Sequence, residues 1–280
     1  MERHVVANGV RTHLIDHPGD GPVLVLAPGL TANAHSFDEI VAGGLAPAVR
    51  TLAFDLRGRG LSDKPDSGYD LADHAADIIG ALDVLEIDKV VMGGHSYGGL
   101  LSLWMASAHP ERVAGVVALD PPAQVNEEVR SQIQPSLGRL KTAYPSFQAY
   151  LTAMRAMPFF DGWWDPKIEA YYRADVEDFE DGVRPRSKPE HIDAVLEGCV
   201  KVDWEATQKA VAKPTLLIRA AGPFGPPGSP AILPADQAAL ITSRVPDIKM
   251  VELEANHMTM LFGEPAKQAA AAILEFIEGL

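Results

Sequence analysis

The tightest constraint on this chain is a five-residue corner. Gly94-His95-Ser96-Tyr97-Gly98 follows at once on the apolar run Val90-Val91-Met92-Gly93 and leads straight into a segment of helical period, 98–108. A buried strand that turns into a helix this abruptly needs glycine on both sides of the turn, because the backbone must pack closely with no Cβ in the way. A side chain on the turn itself projects from the sheet edge at a helix N-terminus, where amide donors and the helix dipole favour developing negative charge. Ser96 is therefore the candidate nucleophile. The same glycines do not read as a phosphate cradle, since no Lys-Ser or Lys-Thr pair follows them.

Around this corner, short Val/Ile/Leu-rich runs alternate with longer helical stretches, the pattern of a mostly parallel sheet covered by helices on both faces. Strands are expected at 23–27, 51–55, 89–93, 113–120, 215–220 and 249–253. Two antiparallel strands, 5–7 and 12–15, are expected before them, joined at Asn8-Gly9, a dipeptide that readily takes the positive φ of a tight hairpin. Helices are expected at 71–85, 98–108, 235–243 and 265–278, with Ile78, Leu82 and Leu85 sharing one face and Ile273, Phe276 and Ile277 another. No repeat of fixed period supports a solenoid or propeller.

From about 121 to 204 the rhythm breaks. This stretch has no Val/Ile-rich strand and crowds aromatic and Met residues among prolines and acids. The expected organisation is an α/β core in two parts, 1–122 and 205–280, with a helical cap inserted at 123–204. The cap's aromatics, Tyr144 to Tyr172, serve first as its own core and its seam with the sheet, and collectively suggest a lid over an apolar pocket. The acidic stretch 175–181 reads as a solvated cap face.

Bulk properties narrow the function. The 280 residues are 47% hydrophobic and 22% charged, with no apolar run near the roughly 20 residues that span a bilayer. A net charge of -14 opposes binding to nucleic acid or anionic lipid and favours a small-molecule partner. The single cysteine, Cys199, forbids an intrachain disulfide, and no export signal is read at the start, so the expected compartment is the cytoplasm. Cys199 lies far from any Gly-rich corner or helix-start signal, which argues against a reactive role. With no His-x-His, His-Glu-x-x-His or paired-cysteine pattern, neither a metal nor another cofactor is expected. A monomer or homodimer is expected.

Together with Gly94-His95-Ser96-Tyr97-Gly98, three further pieces stand in order at strand ends: Ala27-Pro28-Gly29-Leu30, Asp55-Leu56-Arg57-Gly58-Arg59-Gly60-Leu61-Ser62, and His109-Pro110-Glu111-Arg112-Val113. In this combination the sequence resembles the α/β-hydrolase superfamily over nearly the whole chain apart from the cap. The resemblance implies a serine hydrolase whose base sits in the loop after the last strand, which here holds His257 in Glu254-Ala255-Asn256-His257-Met258. A neutral imidazole in reach of Ser96 takes its proton during attack and returns it to the leaving group. His95 and His109 are expected to support packing instead. Asp55, Arg57 and Ser62 are expected to build a structural turn.

The orienting acid departs from the commoner pattern. Many relatives carry it after the strand that follows the cap, but the corresponding segment, 221–230, contains neither Asp nor Glu. The strand before the cap ends Leu119-Asp120-Pro121-Pro122, where haloalkane dehalogenases and the zearalenone-lactonase group hold theirs. Asp120 is therefore expected to accept the ring N–H of His257, with Asp236 in reserve. The family implies two oxyanion donors, the backbone N–H groups of Tyr97 and Leu30, with Thr31 as a neighbouring alternative. Pro28 stands where relatives often have His, and offers no N–H.

The implied chemistry is acyl transfer through an acyl-enzyme, on a moderately apolar carboxylic ester or lactone. A carbon-carbon bond hydrolase on the same triad is the alternative within enzymes. From another class comes a slow-turnover ligand receptor of this fold.

Overall fold

The computed structural model describes residues 1–126, 131, 133–134, 137–226 and 228–280. Part of the expected cap and Pro227, in the loop after the cap-following strand, lie outside the described residues. An eight-stranded sheet runs in the order β1-β2-β4-β3-β5-β6-β9-β10. Its strands are β1 (Glu2–Ala7), β2 (Val10–His17), β3 (Val23–Ala27), β4 (Arg50–Phe54), β5 (Val90–His95), β6 (Val113–Leu119), β9 (Thr215–Ala220) and β10 (Ile248–Leu253). The β1-β2 hairpin and the β2-β4 pairing are antiparallel; every other neighbouring pair is parallel. Asn8 and Gly9 turn the hairpin with φ of 51° and 72°, as the dipeptide predicts. This is an α/β-hydrolase fold.

The parallel strands are apolar throughout because both faces are covered. Successive residues of β3 serve opposite faces: Val25 and Ala27 join one core, with the helices Leu71–Val84 and Tyr97–Ala108, while Leu24 and Leu26 join the other, with the helix Gly263–Glu278. All four side chains are fully buried. Burying such a residue contributes about 1.5–3 kcal/mol, which fixes the strand register that places the loop residues at the sheet's C-terminal edge.

Between β6 and β9 the described residues form the helices Phe147–Arg155, Lys167–Asp175, Pro189–Val200 and Trp204–Lys209, together with a hairpin of β7 (Val176–Phe179) and β8 (Gly182–Pro185). The hairpin is not expected from the sequence. Its first strand, Val-Glu-Asp-Phe, alternates by only two apolar residues, and its acids mask the pattern. The acidic stretch also needs correction at its first member. Asp175 is buried, ion-paired with Arg139 at 3.3 Å and accepting a hydrogen bond from the Tyr150 hydroxyl, rather than part of a solvated face. Burial pushes its carboxyl above the ordinary carboxylate range against the opposing pull of Arg139. Arg139 in turn donates to the Thr31 carbonyl at 3.0 Å, tying this insertion to the loop after β3.

The segment Asp55 to Ser62 is a structural knot, as expected. The buried Asp55 carboxylate accepts from the N–H of Ala34 and of Leu61, each at 2.8 Å, and lies 2.8 Å from His13 Nδ1. Ser62 donates to the Asp55 carbonyl at 2.6 Å, and Arg57 forks onto Asp77 at 2.6 and 2.5 Å. Burial pushes the Asp55 carboxyl up, but the bonds from His13, Leu61 and Ala34 together outweigh it and hold the pKa below 3.8.

A carboxylate whose folded pKa is depressed stabilises above its unfolded value, and that contribution is lost as pH falls through the folded one. Asp55→Ala strands three donors, two of them buried, and is expected to cost about 3 kcal/mol or more in urea unfolding at neutral pH. The deficit relative to wild type should shrink as the pH is taken below 3.8.

Candidate active site

The corner after β5 adopts the conformation its sequence demands. Ser96 has φ 57° and ψ -116°, a strained backbone at the N-cap of the helix Tyr97–Ala108, and its N–H donates to the Leu119 carbonyl of β6 at 2.8 Å. The flanking glycines permit it by close approach. A Cβ on Gly98 would stand 1.9 Å from the Ala27 carbonyl oxygen, and one on Gly94 would meet the Gly98 backbone at 2.5 Å. Gly99 and Leu100 donate back to the Ser96 carbonyl, at 3.0 and 3.1 Å, which leaves the N–H groups of Tyr97 and Gly98 outside the helical ladder.

Asp120 also has a positive φ, 47°, although a proline follows and disfavours it. Three bonds hold the residue there. Its N–H donates to Ile218 of β9 at 2.7 Å, its Oδ1 accepts from the Ala220 N–H at 3.0 Å, and its Oδ2 lies 2.7 Å from His257 Nδ1. Asp120 is fully enclosed and His257 is 6% exposed. With Nδ1 facing an acceptor-only carboxylate, Nδ1 carries the proton and Nε2 is left as the basic nitrogen.

The loop that carries His257 is held from two sides. Asn256 Oδ1 accepts from the N–H groups of Met258 and Thr259, at 3.0 and 2.9 Å, and its Nδ2 donates to the Phe159 carbonyl of the insertion at 2.7 Å. Phe159 stacks on Phe224 at 4.8 Å between ring centroids, and Phe224 meets the His257 ring edge-on at 5.3 Å. From the core side, His95 Nε2 lies 2.8 Å from the His257 carbonyl and therefore donates to it. Burial, then the neighbouring His257, holds the His95 ring well below the usual imidazole pKa, so it is neutral.

Ser96 and His257 line one cavity, with Leu30, Thr31, Tyr171 and Phe224 on its walls and about 510 Å³ of space including its mouth. The structure thus brings Ser96, His257, Asp120, Leu30 and Tyr97 to one end of the sheet. Asp236 stands apart, exposed in the helix Ala235–Arg244. Cys199 is buried, and burial pushes its thiol up to about 12. Phe224, Asn256 and His95 carry positions that sequence reasoning did not single out as functional. The signals were an aromatic in the acid-free loop, an Asn three residues before a helical turn and a His beside the strained serine.

The chain belongs to the alpha/beta hydrolase fold family, whose model matches residues 22–264. It is similar to a 2-(acetamidomethylene)succinate hydrolase of Mesorhizobium japonicum, 27% identical over 237 residues covering 83% of this chain and 80% of that one. Its structure resembles the crystal structure of E-2-(acetamidomethylene)succinate hydrolase with a TM-score of 0.83 at 25% identity, covering 99% of both chains. A shorter match, 37% identical over 124 residues or 42% of each chain, is to a 2-hydroxymuconate semialdehyde hydrolase of a Pseudomonas species. No helix among the described residues is long and apolar enough to cross a membrane.

Two measurements check this geometry. A ring N–H proton held against a carboxylate resonates far downfield, so proton NMR should show such a signal that disappears in Asp120→Ala while the one from His13 against Asp55 persists. Cys199 should resist alkylation by iodoacetamide at pH 8 in the folded protein and react on unfolding.

Proposed function

We propose that this protein is a serine hydrolase that cleaves a moderately apolar carboxylic ester or lactone through an acyl-enzyme. The observation that carries the reading is the 2.7 Å contact of Asp120 Oδ2 with His257 Nδ1, made behind a cavity that His257 and the strained Ser96 both line. Ser96 is the nucleophile, His257 the base and Asp120 the group that fixes the imidazole's tautomer and stabilises the imidazolium. Ser96 Oγ adds to the substrate carbonyl carbon as its proton passes to His257 Nε2. The carbonyl π electrons move to oxygen, and the backbone N–H groups of Tyr97 and Leu30 stabilise that oxyanion. Collapse expels the alkoxide, which takes the proton from His257. Water, activated in turn by His257, then releases the acid and restores Ser96.

The walls favour a largely apolar substrate, since Leu30, Leu137, Tyr171, Phe224, Met258 and Leu261 dominate the cavity. A second reading, cleavage of an amide, is favoured by the likeness to the 2-(acetamidomethylene)succinate hydrolase across most of both chains. The partner is a small molecule, the protein works as a monomer or homodimer, and neither metal nor cofactor is required.

A panel of p-nitrophenyl esters, lactones and amides separates these readings. Steady turnover is expected on esters or lactones, with the acyl group found on Ser96 by mass spectrometry of quenched reactions. Ser96→Ala should lower kcat by about 10³-fold or more and Asp120→Asn by roughly 10⁴-fold, while Asp236→Asn leaves it unchanged. Turnover confined to amides moves the assignment to the second reading. One slow turnover without release makes the protein a receptor rather than an enzyme.

A further inference from the structure

Arg59 is a cation in the wrong place for a purely structural role. Its side chain is fully buried, and among the described residues its hydrogen-bond partners are all uncharged: the Leu30 carbonyl at 3.0 Å from Nε, the Arg57 carbonyl at 2.8 Å from Nη1, and His74 Nε2 at 3.2 Å from Nη1. Nη2 is buried with no hydrogen-bond partner among the described residues. By contrast, its neighbour Arg57 and the buried Arg139 each face a carboxylate. Enclosing an unpaired guanidinium costs several kcal/mol, and such a cost persists in a folded protein where the charge is used.

The identity of its partners says what for. A guanidinium can only donate, so His74 Nε2 must be the unprotonated nitrogen and its Nδ1 carries the proton. That N–H is shared between the Asp70 carbonyl and the Tyr97 hydroxyl, each 2.8 Å away, and the Arg59 guanidinium carbon lies 5.8 Å from the centroid of the Tyr97 ring. Arg59 therefore touches Tyr97 directly through its ring and indirectly through His74, while its Nε grips Leu30. Leu30 and Tyr97 come from different strand ends, after β3 and after β5, and nothing in the sheet register alone fixes the loop atoms of one relative to the other. Peptide planarity says what the grip fixes: holding the Leu30 carbonyl sets the Leu30-Thr31 plane, which carries the Thr31 N–H, while the plane of the Leu30 N–H is set by the Gly29 carbonyl, bonded to the Ala32 N–H at 3.1 Å, so Arg59 acts on the Leu30 donor through the position of its loop.

We propose that Arg59 is a positioning residue for the oxyanion donors, clamping the Leu30 loop against Tyr97 and supplying an uncompensated positive charge behind them that favours an anionic tetrahedral intermediate. The role rests on the serine-hydrolase reading above. It adds a fifth strand-end loop, the one after β4, to those after β3, β5, β6 and β10 that the proposed chemistry uses.

The test uses Arg59→Met and Arg59→Lys in the full-length protein, with two readouts: steady-state kinetics on a p-nitrophenyl ester and inhibition by an alkylboronic acid. The boronic acid mimics the intermediate. Ser96 Oγ donates an electron pair to boron as its proton passes to His257, leaving a tetrahedral boronate anion with no bond to carbon broken. For Arg59→Met, kcat is expected to fall about tenfold to a hundredfold with KM within about twofold, and the boronate inhibition constant to rise by the same factor as kcat/KM falls. Lysine keeps the charge but cannot reach all three partners, so Arg59→Lys should fall between wild type and Arg59→Met on both readouts. A structural role alone would lower thermal stability and the fraction of titratable sites while leaving boronate affinity of the folded protein unchanged. That result in either variant overturns the proposal, and Arg59→Lys decides it if Arg59→Met does not fold. Failure of the wild-type protein both to turn over esters and to bind the boronate instead removes the serine-hydrolase reading, and this inference with it.

Discussion

One carboxylate joins three of the strand ends from which this site is assembled. Asp120 leaves β6, accepts from the end of β9 at Ala220 with one oxygen and faces His257, beyond β10, with the other. The sheet order β6-β9-β10 puts those three ends side by side, so a single side chain can span them. Its position requires a positive φ ahead of a proline, a conformation costing on the order of 1–3 kcal/mol, which the surrounding hydrogen bonds hold in place. Both Ser96 and Asp120 are thus strained residues at the ends of adjacent parallel strands, where pairing of β5 with β6 over-determines the backbone on either side.

A second buried carboxylate does the same for the loop after β4. Asp55 draws together the N–H groups of Ala34 and Leu61 and the His13 ring, which shapes the loop after β4. That loop is what carries Arg59 to the carbonyl of Leu30. Strain and buried charge are therefore concentrated at one edge of a sheet whose interior is apolar and regular, and the apolar interior is what keeps the edge in register.

The regular part was legible because it follows from period alone. Strands such as Val23–Ala27 and Thr215–Ala220 are buried on both faces and read as unbroken apolar runs, and Asn8-Gly9 and Gly94-x-x-x-Gly98 announce the two turns whose backbone other residues resist. Asp120 is legible only through the resemblance: the loop at 221–230, where many relatives hold the acid, has none, and other relatives hold theirs where Asp120 stands. What escaped were features that depend on partners distant in sequence. Asp175 sits in a run of acids and is distinguished only by Arg139 and Tyr150 closing around it, 36 and 25 residues away. The hairpin Val176–Phe179 with Gly182–Pro185 is too short and too charged to show alternation. Arg59 has the appearance of a turn residue until its three uncharged partners are seen together.

The contacts of Phe159 carry a consequence for access. Its carbonyl anchors Asn256, and its ring, through Phe224, backs the imidazole of His257. Any excursion of the insertion wide enough to admit a bulky molecule past this point must release the Asn256 anchor and part the two phenyl rings. Entry and support are then opposed: a doorway opened at Phe159 slackens the hold on the histidine, and only its return re-forms the packing behind the imidazole.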